Sequence, residues 1–116
     1  ACIGCHGADG AGLDNLGPPL DGSDWVTGNT TRLAKVLLHG LQGPIVVSGK
    51  RYAPPGAMPG LSMNPTISDQ DIADILTFTR HAWSNRSTLV NESFIKESRE
   101  KSQDQQGVPY KASELN

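Results

Sequence analysis

Apolar positions repeat at helical spacing in two stretches of the chain. Leu33, Val36, Leu37 and Leu41 share one face, Asn29, Thr30 and Thr31 stand ahead as caps, and Gly40 follows as a stop. This pattern predicts an amphipathic helix over about residues 30–39. The run "SDQDIADILTFTRHAW" is clearer still: Ser68 with Asp71 three positions later makes a capping-box start, and Ile72, Ile75, Leu76, Thr79 and Trp83 form a stripe. Between them, "PIVVSGKRYAPPG" joins a β-branched run to a Ser-Gly-Lys turn and Tyr52, as a small hairpin or extended loop would. Beyond residue 84, "NESFIKESREKSQDQ" offers a further helix. Its apolar patch is only Leu89, Val90, Phe94 and Ile95, so it is expected to dock by its first turn and then fray.

Composition makes the core the difficulty. Of 116 residues only 36% are hydrophobic and 5% aromatic, with Gly 13 and Pro 8. That suits one domain with a short appendage and leaves a hydrocarbon core thin, so another group should help fill the middle. A net charge of −2 removes the basic face that nucleic-acid binding requires. The longest aliphatic run, Ile45-Val46-Val47, falls far short of the ~20 apolar residues of a membrane span. No charged-then-apolar leader opens the chain, and an upstream leader or anchor is left open.

Both cysteines lie in "CIGCH", residues 2–6. Three chemistries use closely spaced Cys and His. A structural zinc site wants four ligands, but beyond Cys2, Cys5 and His6 the remaining histidines, His39 and His81, are dispersed. A redox dithiol expects a preceding strand, for which there is no sequence ahead of Ala1. C-x-x-C-H is the spacing of c-type haem attachment, in which two thioethers tether the porphyrin edge and the adjacent imidazole binds iron. On that reading Cys2 and Cys5 are covalent anchors and His6 is the proximal ligand. Four residues compete for the remaining axial position: Met58, Met63, His39 and His81. Breakers at Pro54-Pro55-Gly56 and Pro59-Gly60 keep the segment around Met58 extended, which favours it. Met63 stands close to the Ser68 cap, a short reach, and packing at the haem edge suits it better. His39 before Gly40 suits an ordinary helix C-terminus, and His81 a surface or interface.

C-x-x-C-H-G-x-D-G followed by G-P-x-L-x-G resembles a class I cytochrome c. The resemblance implies that Pro18 accepts a hydrogen bond from the proximal imidazole and that Leu20 touches the haem. It also favours Met58-Pro59 as the distal ligand segment, and makes residues 68–83 the helix that an N-terminal helix crosses, at Phe78. That N-terminal helix is missing here, which implies either a longer polypeptide or another covering element, such as residues 84–116. From "LGPPLDGSDWV" through "VLLHGLQGPIVVSGKRY" and "HAWSN" to "PYKASEL", the chain is similar to monohaem domains fused to large periplasmic dehydrogenase-like proteins, including quinoprotein and sugar-dehydrogenase relatives.

The expected fold is therefore all-α, a class I cytochrome c domain over residues 1–83 with a partly helical extension over 84–116. One covalent haem c is expected, with iron held by His6 and Met58. Trp25, Arg32 and Tyr52, with Lys50 and Arg51, are candidates to bond its propionates. No nucleophile–base pair or paired carboxylates point to an enzyme. The resemblance implies periplasmic single-electron transfer from a dehydrogenase or quinol-oxidising complex to a terminal oxidase or another cytochrome. The alternatives are the haem domain of a larger fused dehydrogenase, or a peroxidatic or gas-binding site should Met58 dissociate.

Overall fold

A computed structural model describes residues 2–105 and 107–115. Helices α1 (Ile3–His6), α2 (Asp24–Thr27) and α3 (Thr30–His39) are followed by strands β1 (Gly40–Gln42), β2 (Ile45–Val47), β3 (Lys50–Tyr52) and β4 (Met58–Pro59). Helices α4 (Asp69–His81) and α5 (Glu92–Lys101), strand β5 (Tyr110–Lys111) and a 3-10 turn (Ala112–Leu115) complete the order. What precedes Cys2 lies outside the described residues.

The two expected helices form with the expected caps. The Asn29 side chain accepts from the Arg32 amide, and Gly40 stops α3 at φ 90°. At α4 both halves of the capping box are made, Ser68 to the Asp71 amide and Asp71 back to the Ser68 amide. Such caps satisfy amides that the first turn leaves without partners. Ile72, Leu76 and Thr79 are buried as the stripe requires, with Ile75 partly covered. Trp83 departs from it, because α4 ends at His81 and Trp83 turns back at φ 57°. Its indole covers Gly10, where a Cβ would lie 2.6 Å from the ring, and its Nε1–H donates to the Ala8 carbonyl at 3.1 Å.

The architecture is mostly helical, as expected, but it also contains two small sheets. Strands β2 and β3 form the antiparallel hairpin. Strand β1 is the centre of the other sheet, antiparallel to β4 and parallel to β5. Strands of two or three residues are too short to show an alternation in sequence.

Helices α3, α4 and α5 enclose the main core. Leu33, Ala34, Leu37, Leu38, Ile72, Ala73, Leu76, Val90 and Ile95 form one cluster. Trp25, Val36, Ile45, Val47, Tyr110 and Leu115 form a second, on another face of α3. The C-terminal segment therefore lies over the core, but the expected fraying does not occur. Asn91 caps α5 by accepting from the Phe94 amide, Ile95 is fully buried, and Ser98 and Ser102 are buried behind it. Arg99 Nε pairs with Asp69 at 2.8 Å, tying α5 to the start of α4. Small hydroxyls packed inside the structure made the helix read as more polar than its buried face is.

Arg80 is the buried cation of this framework, 2% exposed. It donates to the Thr88 carbonyl at 2.8 Å, the Val26 carbonyl at 2.8 Å, the Gly28 carbonyl at 3.2 Å, Ser87 Oγ at 2.6 Å and Thr88 Oγ1 at 2.9 Å. One guanidinium thus joins α2, α4 and the 87–88 loop. Arg80→Leu strands these acceptors, and a loss of about 3 kcal/mol is expected from urea unfolding midpoints.

Candidate functional site

A cavity of about 240 Å³ opens between the two apolar clusters. Its wall includes Cys2, Cys5, His6, Pro18, Leu20, Trp25 and Met58, so most of the sequence-predicted site residues meet at one place. Leu33, Val36, Leu37, Ile75 and Leu76 supply much of the remaining lining.

His6, at the end of α1, is 8% exposed, and its Nδ1 lies 2.7 Å from the Pro18 carbonyl oxygen. A carbonyl can only accept, so Nδ1 carries the proton and Nε2 is left with a free lone pair. Gly17 makes this geometry possible. A Cβ there would stand 2.9 Å from the His6 ring and 2.8 Å from the Cys5 carbonyl. The loop is tightened further by the Gly12 amide donating to the His6 carbonyl at 2.8 Å, with Gly12 at φ 84°. The amides of Leu20 and Asp21 both donate to the Gly10 carbonyl, at 2.8 and 2.9 Å. Asn85, buried and missed by sequence reasoning, accepts from the Gly22 amide and donates to the Leu20 and Thr79 carbonyls. An isolated polar residue in a turn carries no periodic signal by which to find it.

Met58 is half-buried on β4, where Leu41 is its register partner. Two glycines permit this approach. A Cβ on Gly40 would run into the Met58 carbonyl, and one on Gly60 would lie 2.5 Å from the Leu38 carbonyl. The Leu61 and Ser62 amides then donate to the Leu37 and Leu38 carbonyls, at 2.9 and 2.8 Å. The chain after Met58 is thereby laced to the last turn of α3.

The rival axial candidates lie elsewhere. Met63 is 68% exposed beside Gly107 and does not line the cavity, which corrects the expectation of haem-edge packing. Its position follows from the Leu61 and Ser62 bonds, which direct the chain away along α3. His81 is exposed, with Nδ1 donating to the Thr77 carbonyl at 2.7 Å. His39 is more than a helix-end residue: it is 2% exposed, with Nε2 2.8 Å from Ser102 Oγ.

Arg32 and Tyr52 stand outside the cavity wall. The Arg32 guanidinium lies 3.7 Å over the Trp25 ring, and Tyr52 packs against the cluster that contains Trp25. Trp25 Nε1–H is committed to the Val46 carbonyl at 2.9 Å, so it has no proton left for a ligand. Arg32 Nε is buried without a partner among the described residues. Lys50, Arg51 and Tyr52 line a separate polar cavity of about 450 Å³ together with Asp14 and Asn15.

The donor set discriminates between occupants. Among the described residues, no group of three or more His, Cys, Asp or Glu side chains gathers to hold a metal ion, which leaves the zinc reading without ligands. Two thiols, one imidazole with its Nε2 free and one thioether, set in an apolar wall beside an orphaned cationic N–H, fit a flat apolar macrocycle that brings its own metal and carboxylates.

The family model described as Cytochrome c matches residues 1–83. The chain is 40% identical over 88 residues to the cytochrome c subunit of alcohol dehydrogenase (quinone) of Gluconacetobacter polyoxogenes, covering 74% of the chain and 18% of that protein. The corresponding subunit of Gluconobacter oxydans is 39% identical over 87 residues, covering 74% and 17%. Cytochrome c-552 of Thermus thermophilus is 36% identical over 86 residues, covering 71% of the chain and 62% of that protein. The chain thus spans less than a fifth of the dehydrogenase subunits it matches.

Gly17→Ala tests whether the loop is built around the imidazole. The added methyl should displace the His6 ring and destabilise the protein by about 1–3 kcal/mol. The check is a lowered thermal midpoint together with loss of the slowly exchanging His6 Nδ1 proton in NMR.

Proposed function

Because the chain belongs to the cytochrome c family, we propose that it is a single-electron carrier whose haem c is held by Cys2, Cys5 and His6, with Met58 as the second axial ligand. The His6 Nδ1 to Pro18 bond carries this reading, since it leaves one ring nitrogen, in one tautomer, for iron. Bound there, haem c supplies an iron that gains and loses one electron.

The chain supplies everything else. Cys2 and Cys5 provide thiols for two thioether bonds, and Pro18 makes His6 a more basic ligand by accepting its second proton. The neutral Met58 thioether favours the ferrous state, so the potential should be comparatively high. Leu20, Trp25 and the aliphatic lining exclude water, which keeps reorganisation small when charge changes. With the Trp25 indole committed elsewhere, Trp25 acts by packing, and Arg32, stacked on it with its buried Nε unpartnered among the described residues, is the donor for the haem carboxylates, whereas Tyr52 lines the separate polar cavity. Residues 1–83 are the cytochrome domain, and 84–116 are an extension that completes its core.

Electrons pass at the open edge beside Cys2, Cys5 and Leu16. Ile3 and Leu16 are exposed there, 65% and 54%, so contact with a redox protein is mainly apolar. Relatives named as the cytochrome c subunit of a quinone alcohol dehydrogenase support a dehydrogenase or quinol-oxidising complex as donor; the acceptor in this reading is a terminal oxidase or another cytochrome. Thioether attachment of haem c, which in bacteria is made outside the cytoplasm, supports an extracytoplasmic, periplasmic setting. No described helix is long and apolar enough to cross a membrane. The name of those relatives, a subunit of an alcohol dehydrogenase, favours one further reading, in which this domain is the electron outlet of a larger dehydrogenase.

Two measurements test these assignments. In the ferric holoprotein, Met58→Ala should abolish the weak near-infrared sulfur-to-iron band and lower the potential, while Met63→Ala leaves both nearly unchanged; the opposite pattern moves the ligand to Met63. Electron-transfer rates with a purified donor should change by less than about threefold between low and physiological salt, since an apolar contact lacks strong steering.

A further inference from the structure

The sheet that carries Met58 is closed by a late segment of the chain. Leu41 is the register partner of Met58 on one edge of β1 and of Tyr110 on the other. Gln42 adds a side-chain bond from Nε2 to the Pro109 carbonyl at 2.9 Å. Directly before β1 stands His39, whose environment fixes its protonation. Ser102 Oγ donates to the Ser98 carbonyl at 2.7 Å, so it turns a lone pair to His39 and Nε2–H donates. The Gly107 amide donates to Nδ1 at 3.1 Å, and Ser62 Oγ lies 3.4 Å from the same atom. A backbone N–H has nothing to accept with. Nδ1 must therefore be bare and the ring neutral, and a proton added at Nδ1 would set two N–H groups against each other.

We propose that His39 is a positioning residue: its neutral imidazole latches the Gly107–Leu115 segment onto β1, that sheet holds Met58 in place, and protonation of His39 releases both. The proposal rests on the reading of Met58 as axial ligand.

The charged surroundings agree with the geometry. Burial and the Arg99 guanidinium lower the His39 pKa below its ordinary 6.5, while Asp104 opposes them. Arg99 is itself paired with Asp69, and Tyr110 meets the imidazole edge-on at a centroid distance of 5.9 Å. Burial and two nearby carboxylates, Asp104 and Glu114, raise the Tyr110 phenol, so it stays neutral in this range. The closed latch thus disfavours the proton, whereas an opened one accepts it at about the ordinary value. Well above pH 6.5 both forms are neutral and latching is at its strongest. As pH falls below 6.5, the open form gains by up to about tenfold per pH unit until the depressed closed-state value is passed.

The test uses the full holoprotein. Hydrogen exchange of the Gly107, Tyr110 and Lys111 amides, corrected for intrinsic chemistry, is followed with the ferric near-infrared band as pH is lowered through and below 6.5. Protection should fall by up to about tenfold per pH unit, the band should weaken once the open form becomes a measurable fraction of the protein, and both should be flat with pH in His39→Gln, which keeps a donor and an acceptor without a titrating group. Wild-type protection that is flat with pH, or a transition that persists in His39→Gln, overturns the latch, and the wild-type profile decides alone if the variant does not fold. A band that stays at full strength at a pH where protection of these amides has vanished entirely overturns the positioning of Met58. A band that survives Met58→Ala overturns the ligand assignment instead, and amide exchange still reports on the latch independently of it.

Discussion

The hydrogen bond from His6 Nδ1 to the Pro18 carbonyl, 2.7 Å long, decides which ring nitrogen is left to bind, and the loop between the two residues is arranged around it. Gly17 is small because the ring and the Cys5 carbonyl press on it, and Gly12 is left-handed so that its amide can return to the His6 carbonyl. Leu20 then reaches the cavity wall, with Asn85 holding its carbonyl from the far side. A loop rich in glycine and proline ordinarily has little to fix it, since its backbone is free and its side chains bury little surface. Here backbone carbonyls and one imidazole provide the order.

The second constraint is the scarcity of apolar side chains. Helix α3 meets it by serving two clusters, with Leu33, Leu37 and Leu38 toward α4 and α5 and Val36 toward Trp25 and Tyr110. The C-terminal segment contributes to both, through Val90 and Ile95 in one and Tyr110 and Leu115 in the other. What remains between them is a cavity, and a covalent macrocycle there would supply the apolar mass that the composition lacks. In this way a 116-residue chain that is only 36% hydrophobic can support a defined interior.

The parts legible in the sequence were those with a local rule. Caps at Asn29 and Ser68, the α3 and α4 stripes, the hairpin turn and C-x-x-C-H all depend on residues a few positions apart. The parts that were not legible depend on partners distant in the chain. Trp83 breaks its stripe because Gly10 leaves room for an indole, and Arg80 is buried because α2 and the 87–88 loop offer it carbonyls. His39 looked like a helix-end residue because neither Ser102 nor Gly107 is near it in sequence. The extension read as fraying because serine counts as polar, although Ser98 and Ser102 are buried. Fold class could be read in advance, whereas the sheet that carries Met58, with a strand from the end of the chain, required the tertiary arrangement.

The parallel pairing of β1 with β5 has a kinetic corollary. Leu41 can meet Met58 after a short loop has closed, but Tyr110 arrives only after both long helices have been laid down. Joining such distant strands costs about 1 kcal/mol more in chain entropy than closing the shorter span, which makes it the later of the two pairings. Strand β5 lines none of the cavity itself, so its late arrival would buttress β1 from behind, after the wall that carries Met58 already stands.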